Sequence, residues 1–238
     1  MKKENRIGFI DGTALKIIAM ISMVFDHVGD MFLPDVMWLR MIGRIAMPIF
    51  CFFIAEGYIH TRNKKKYLLR LGIFALISEV PFDLAFEGRL NLSHQNIMLT
   101  FFISVLALMV FDLIRGDINP DTGKYGKLRI FSAQFSILIF AVFALLLKAD
   151  YTVFAVIAVY LFYILNESNH ILRSAVGVGF LAITRTMGYY SATGLSLIPL
   201  CLYNGNRGKG LKWLFYIFYP GHLLLLYIIK LYVFGYFI

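Results

Sequence analysis

Long unbroken apolar runs are the feature that most restricts what this chain can become. Residues 13–33, 42–59, 67–86, 96–114, 131–147, 151–166, 170–185, 190–203 and 212–234 are dominated by aliphatic and aromatic side chains. A helix crossing a bilayer needs about 20 such residues, and its backbone groups must bond within their own segment. The runs are continuous rather than alternating, which excludes the strands of a membrane barrel. The expected fold is therefore all-α: a single transmembrane domain over 1–238, built as a polytopic integral membrane helical bundle of about nine transmembrane helices and seated in the cell membrane. Run 131–147 is short, and 170–203 also fits one long span plus a re-entrant piece. Composition agrees, with 60% of residues hydrophobic and 16% charged, against roughly 45–50% and about 25% in soluble domains. No small-residue cleavage site follows the first run, so it reads as a retained helix and not a signal peptide.

The net charge of +9 raises nucleic acid as a partner, but its placement argues against that. With the N-terminus inside and sides alternating, the inner segments are 1–12, 60–66, 115–130, 166–169 and 204–211. With their edges they collect most of the basic residues, among them Lys2, Lys3, Arg6, Arg62, Lys64, Lys65, Lys66, Arg70, Arg115, Arg207 and Lys209. That asymmetry is the positive-inside pattern. It places the N-terminus inside and the C-terminus outside, and makes the lipid bilayer the partner of the excess charge. Cys51 and Cys201 lie in apolar runs and read as small buried hydrophobes. No zinc spacing, HExxH pair or Walker loop is present, so no metal is expected.

Polar residues inside apolar runs are costly and usually face a bundle interior or a water-filled cavity. Residues 22–30, SMVFDHVGD, carry Asp26, His27 and Asp30 near the end of the first run. Lys16, Met20, Met23 and His27 follow one another at helical spacing, and eleven residues at about 100° each return to one face. Lys16 and His27 would share that face, about 16 Å apart along the axis. Asp30 is within reach of His27 on a helix and Asp26 adjoins it, so a carboxylate orienting the imidazole is one reading. The plainer reading is a polar helix end, with Lys16 reaching to the inner surface.

Further along, Arg40 and Arg44 are four apart, as are Glu56 and His60, and Glu79 and Asp83 flank Pro81. Arg44 suits a bidentate anion contact. His94 and Asn96 stand at an outer mouth, where loop and cap roles are equally available. Residues 203–210, YNGNRGKG, form a glycine-rich basic turn of a kind that can hold phosphate, with Arg207 in it. Pro220, Gly221 and His222 place a break and an imidazole inside the last run.

The blocks LKIIAMISMVFDHVGD, IGRIAMPIFCFFIAEGYIHTRNKKKYLLRLGIFALISEVPFDL, NIMLTFFISVLAL, KADY and LYNGNRG…KWLFYIFYPGHLLLLY occur in this order. Together they resemble the TraX family, named for the protein that acetylates the N-terminus of F-type pilin, over about residues 10–230. The first helix is more distantly similar to the wider group of membrane-bound acyltransferases. That group has an essential histidine near the end of its first span and basic residues that bind coenzyme A. The resemblance implies His27 as that histidine, with Lys16, Arg44 and the run from Arg62 to Arg70 as the basic positions. Thr152 and Ala155 stand where family members often have glycine.

The resemblance implies acetyl-CoA as co-substrate, entering from the cytoplasm. Lys16, Arg62, Lys66, Arg70 and Arg207 would hold its phosphates, and Met20 and Met23 would line its path. His27, oriented by Asp26 or Asp30, would be general base toward a pilin-like N-terminus or an envelope glycan. Arg44, His94 or Asn96 would stabilise the oxyanion, with His222 as a further candidate. Two other classes fit the same buried polar face: a small transporter or channel, and a non-catalytic assembly factor for a surface appendage. No convincing inverted repeat is present, which tilts against the transporter.

Overall fold

A computed structural model describes residues 8–116, 123–184, 188–210 and 212–235. Lys2, Lys3 and Arg6 lie outside the described residues. Those described are helical, apart from loops and two isolated bridges. Helix α1 spans Gly12–Met31, α2 Met37–Gly43, α3 Ala46–His60, α4 Lys64–Glu87, α5 Ile97–Arg115, α6 Gly123–Leu146, α7 Thr152–Ile164 and α8 His170–Thr184. A 3-10 segment, Gly188–Ser196, leads into α9, Leu197–Cys201, and α10 closes the chain at Lys212–Phe234.

Among the described residues, five segments are long and apolar enough to cross a membrane: Gly12–Met31, Met37–His60, Ile97–Arg115, Gly126–Leu146 and Trp213–Phe234. Helix α4 has the length, but Lys64, Arg70, Glu79 and Asp83 lower its apolarity. Helices α7 and α8, of 13 and 15 residues, are shorter than a straight crossing requires. The expected span 190–203 is not one helix: its residues are divided between the 3-10 segment and the five-residue α9.

The second span begins earlier than its apolar run and is broken at Arg44 and Ile45. Pro48 explains the break, since it has no amide hydrogen to offer the Arg44 carbonyl one turn back. Pro220 causes no such interruption: α10 runs continuously through Pro220 and Gly221.

Helix α3 is the central post, packed by α1, α5, α7 and α8. Ile49, Cys51, Phe52, Ala55 and Tyr58 on it are fully buried. Around it, α4 pairs with α5 and α10, and α6 with α5 and α7. The outer faces carry Leu76, Leu113, Leu146 and Ile183, each 74–78% exposed; this is the apolar surface that lipid covers.

Polar pins hold the bundle at one end. Asp112 on α5 accepts from Tyr58 at 2.7 Å, Tyr163 at 2.5 Å and Lys64 at 2.6 Å, joining α3, α7 and α4. Arg173 on α8 is buried, donates to the Phe162 carbonyl at 2.6 Å and pairs with Glu56 at 2.6 Å. His60 reaches the other Glu56 oxygen at 3.3 Å. The 202–209 loop clasps the start of α1: the Gly12 amide donates to the Asn206 carbonyl at 2.8 Å and the Thr13 hydroxyl to the Lys209 carbonyl at 2.7 Å. Gly208 has φ +70°, and a Cβ there would fall 2.6 Å from the Thr13 hydroxyl, so only glycine allows this closure.

Candidate functional site

Two neighbouring cavities bring the polar residues of the described bundle together. The smaller, about 230 Å³, lies at the end holding the α1 C-terminus and is lined by Asp26, His27, Asp30, Arg40, Gly43, Arg44, His94, Asp150 and Tyr151, among others. The larger, about 720 Å³, opens at the opposite end beside Lys16 and the 203–210 turn.

The charges of the small chamber pair across α1 and α2. Arg40 Nη1 meets Asp30 Oδ1 at 2.7 Å, and Arg44 Nη2 meets Asp26 Oδ1 at 3.0 Å. Arg44 also donates to the Tyr151 hydroxyl at 2.9 Å. Tyr151 belongs to a turn in which Lys148, Tyr151 and Thr152 have φ of +53°, +56° and +39°. Non-glycine residues in that region cost about 1–3 kcal/mol each; Tyr151 is held there with its hydroxyl on Arg44. Thr152 is also one of the positions where the resembling family often has glycine, a residue that takes this backbone freely.

Gly43 lets α2 approach α1 here. A Cβ on it would overlap the Asp26 side chain and lie 2.7 Å from its Cα. Gly43→Val is expected to destabilise the protein by about 1–3 kcal/mol, the usual overpacking cost, seen as a lower thermal midpoint in detergent.

His27 takes its partner from α10 instead of from the carboxylates beside it. Its Nδ1 is 2.8 Å from Nε2 of His222, and the ring planes differ by 12° with centroids 5.0 Å apart, as for an in-plane N–H···N bond. His222 Nδ1 is 2.8 Å from the Phe218 carbonyl oxygen, which only accepts. That nitrogen therefore carries the hydrogen. In the neutral ring the other nitrogen then has a lone pair, so Nδ1–H of His27 is the donor between the two. What remains is a bare Nε2 on His27, which accepts no protein hydrogen bond among the described residues, on a side chain lining the chamber. The edge of Phe86 packs at 85° to the His27 ring, and Phe218 stacks on His222 at 4.6 Å.

The expected orientation of His27 by Asp26 or Asp30 is replaced by His222. Both carboxylates are held by Arg40 and Arg44, where an ion pair outcompetes a neutral ring. Asn96 does not face the chamber. It is fully buried, caps α5 by accepting from the Met98 amide at 3.0 Å, and donates to the Ala75 carbonyl at 2.9 Å and to the Glu79 carboxylate. His94 lines the chamber beside Phe82.

Lys16, Met20, Met23, Arg62, Arg70 and Arg207 all line the large cavity. Lys16 lies over the Phe53 and Phe215 rings at 4.6 and 4.9 Å. Lys66 is exposed on the outside of α4 and takes no part, because Tyr67 is the residue that this turn directs inward. Lys209, Glu56 and His60 also border the cavity.

Met23, Phe50, Ile97 and Tyr219 line both cavities and so stand where the two adjoin. Sequence reading missed Phe50, Ile97, Tyr219 and Tyr151 as site residues. Aromatic and aliphatic side chains within apolar runs carry no local sign of facing a cavity. For Tyr151, its place beside Asp150 in a charged turn was the available signal.

The family model "TraX protein" matches residues 11–230. A Dichelobacter nodosus protein described as "Probable fimbrial assembly protein FimC, serogroup H1" is 30% identical over 248 residues, covering 92% of this chain and 95% of that one. An uncharacterized protein of Rickettsia prowazekii (strain Madrid E) is 31% identical over 108 residues, covering 45% of this chain and 40% of its own. No solved structure matches. With nearly its whole length inside that family model, the chain belongs to the TraX family.

Proposed function

We propose that this protein is a membrane-embedded acetyltransferase that moves an acetyl group from cytoplasmic acetyl-CoA to an amine or hydroxyl of an acceptor on the outer side. The observation that carries this reading is the bare Nε2 of His27, borne on a chamber that adjoins a second, cation-rimmed cavity. Arg62, Arg70, Arg207 and Lys209 border the large cavity, and the positive-inside pattern favours a cytoplasmic position for that end. Their charge suits the phosphates of coenzyme A, and the apolar wall of Met20, Met23, Phe53 and Phe101 suits its thin arm.

In the proposed step, the acceptor nitrogen or oxygen attacks the thioester carbonyl while His27 Nε2 takes its proton. Arg44 lends positive potential to the developing oxyanion. The C–S bond then breaks, and the proton on His27 passes to the departing sulfur. The products are the acetylated acceptor and free coenzyme A. His222 acts through His27 as a positioning residue, holding the tautomer that leaves Nε2 free.

Family membership and the Dichelobacter protein's printed name support a pilus-related role, with a pilin-like N-terminus as acceptor and an envelope glycan as the other acceptor class. The same name favours a second reading, a non-catalytic assembly factor. Inverted membrane vesicles given radiolabelled acetyl-CoA separate the two. Release of coenzyme A and label in an envelope component, both dependent on the protein, support the enzyme; neither appearing supports the assembly factor. Mass spectrometry of envelope proteins and glycans, with and without the protein, identifies the acceptor.

His222→Phe is expected to lower kcat by roughly tenfold to a hundredfold, less than loss of the base itself, and to alter the pH–rate profile with little change in KM for acetyl-CoA. His222→Gln, whose amide oxygen accepts the same bond, should recover part of the rate. Equal loss in both variants, with an unchanged pH profile, would point to packing alone.

A further inference from the structure

The carbonyl oxygen of a thioester takes on negative charge as an acceptor adds, and that charge is stabilised by a donor already aimed at it. The polar groups first expected in this role are engaged elsewhere. Arg40 pairs with Asp30 at 2.7 Å, and Arg44 with Asp26 at 3.0 Å and with the Tyr151 hydroxyl at 2.9 Å. Asn96 is occupied as the cap of α5.

Tyr219 on α10 differs from them. It is 5% exposed and lines both cavities. Of Met23, Phe50, Ile97 and Tyr219, the side chains where the cavities adjoin, it alone carries a hydroxyl. Its oxygen accepts from the backbone amide of Ile97, the first residue of α5. Its own hydrogen meets no acceptor among the described residues. A buried phenol ordinarily gives its hydrogen to an acceptor, so an unused O–H on a cavity wall marks a place for an oxygen that arrives with a ligand. The Tyr219 ring is 5.8 Å from that of His222, the imidazole bonded to His27, so hydroxyl and base belong to one cluster of side chains.

We propose that Tyr219 is the oxyanion donor of the transfer, its O–H bonded to the carbonyl oxygen of the thioester and its oxygen held by the Ile97 amide. This rests on the acetyltransferase reading above and adds to it the group that takes up the charge. The acceptor nitrogen or oxygen bonds to the carbonyl carbon, and the π pair moves onto the carbonyl oxygen. Tyr219 donates a hydrogen bond to that oxygen and keeps its proton. When the C–S bond breaks, the pair returns and the carbonyl re-forms. The Ile97 amide strengthens the donor, because a hydroxyl that accepts one hydrogen bond donates another more strongly. With an ordinary phenol pKa of about 10, the hydrogen is present at neutral pH.

The test measures coenzyme A release from acetyl-CoA in inverted vesicles carrying the full chain, over vesicles lacking the protein. Tyr219→Phe keeps the ring and loses only the hydroxyl. It is expected to lower kcat by about 10²–10³-fold, the cost of one oxyanion donor, with little change in KM for acetyl-CoA. A second variant carries 3,5-difluorotyrosine at position 219, a more acidic phenol of nearly the same shape. A phenolate cannot donate, so the alkaline limit of kcat should move to lower pH in this variant, a change that packing alone does not produce. Wild-type kcat in Tyr219→Phe overturns the proposal, as does a rise in KM with kcat unchanged, or an unmoved alkaline limit in the fluorinated protein. If Tyr219→Phe fails to fold, the fluorinated variant decides. If the wild type releases no coenzyme A, the acetyltransferase reading fails and the donor falls with it. If the wild type is active and both variants match it, the donor alone fails.

Discussion

His27→Ala is expected to lower acetyl transfer by about 10²–10⁴-fold, the range for a lost general base, while the protein still folds and inserts. The side chain is half-buried and, among the described residues, its one protein hydrogen bond is to His222. Losing that bond costs about 0.5–1.5 kcal/mol, so folding and chemistry separate. The measurement is coenzyme A release in vesicles, normalised to protein that runs as a single species in detergent. Wild-type turnover in a folded His27→Ala protein would remove His27 from the chemistry. His27→Gln should be equally inactive, since its amide keeps the polarity of the site but has no basic nitrogen.

Arg173→Met is expected to destabilise the protein by about 3–5 kcal/mol, the cost of stranding a buried charge. Arg173 is 2% exposed, and its pairing with Glu56 at 2.6 Å ties α8 to the central α3. Its Nε bond to the Phe162 carbonyl and its position 4.9 Å from the Phe52 ring would go as well. The double variant Glu56→Gln with Arg173→Met should recover part of the loss, because it removes the unpaired charge. Thermal unfolding of the four members of this cycle measures the coupling. Strict additivity of the two single changes would show that the pair contributes nothing beyond its separate packing.

Parts of the site were legible in one dimension. Lys16, Met20, Met23 and His27 each line one of two adjoining cavities because helical periodicity returns every eleventh residue to the same face. Arg40 and Arg44, four apart, both reach Asp26 for the same reason. The basic turn at Arg207 borders a cavity mouth, as a solvated loop between apolar runs allows. Lys66 was misjudged, because charge density along a loop does not say which side chain a helix turn directs inward. Asn96 was misjudged because a cap and an oxyanion donor use the same amide, and only burial distinguishes them.

By itself the sequence determined that this chain buries its backbone in helices, which of its segments are apolar enough to enter a membrane, and which titratable groups are too costly to leave facing lipid. The reason is local: apolarity, periodicity and charge are properties of neighbouring residues. Only the tertiary structure decided that the partner of His27 is an imidazole 195 residues away and not the carboxylates beside it. It also decided that the two cavities meet at four side chains drawn from four helices. Those outcomes depend on how α1, α3, α5 and α10 pack, and packing is set by contacts between residues far apart in the chain, which no window along it contains.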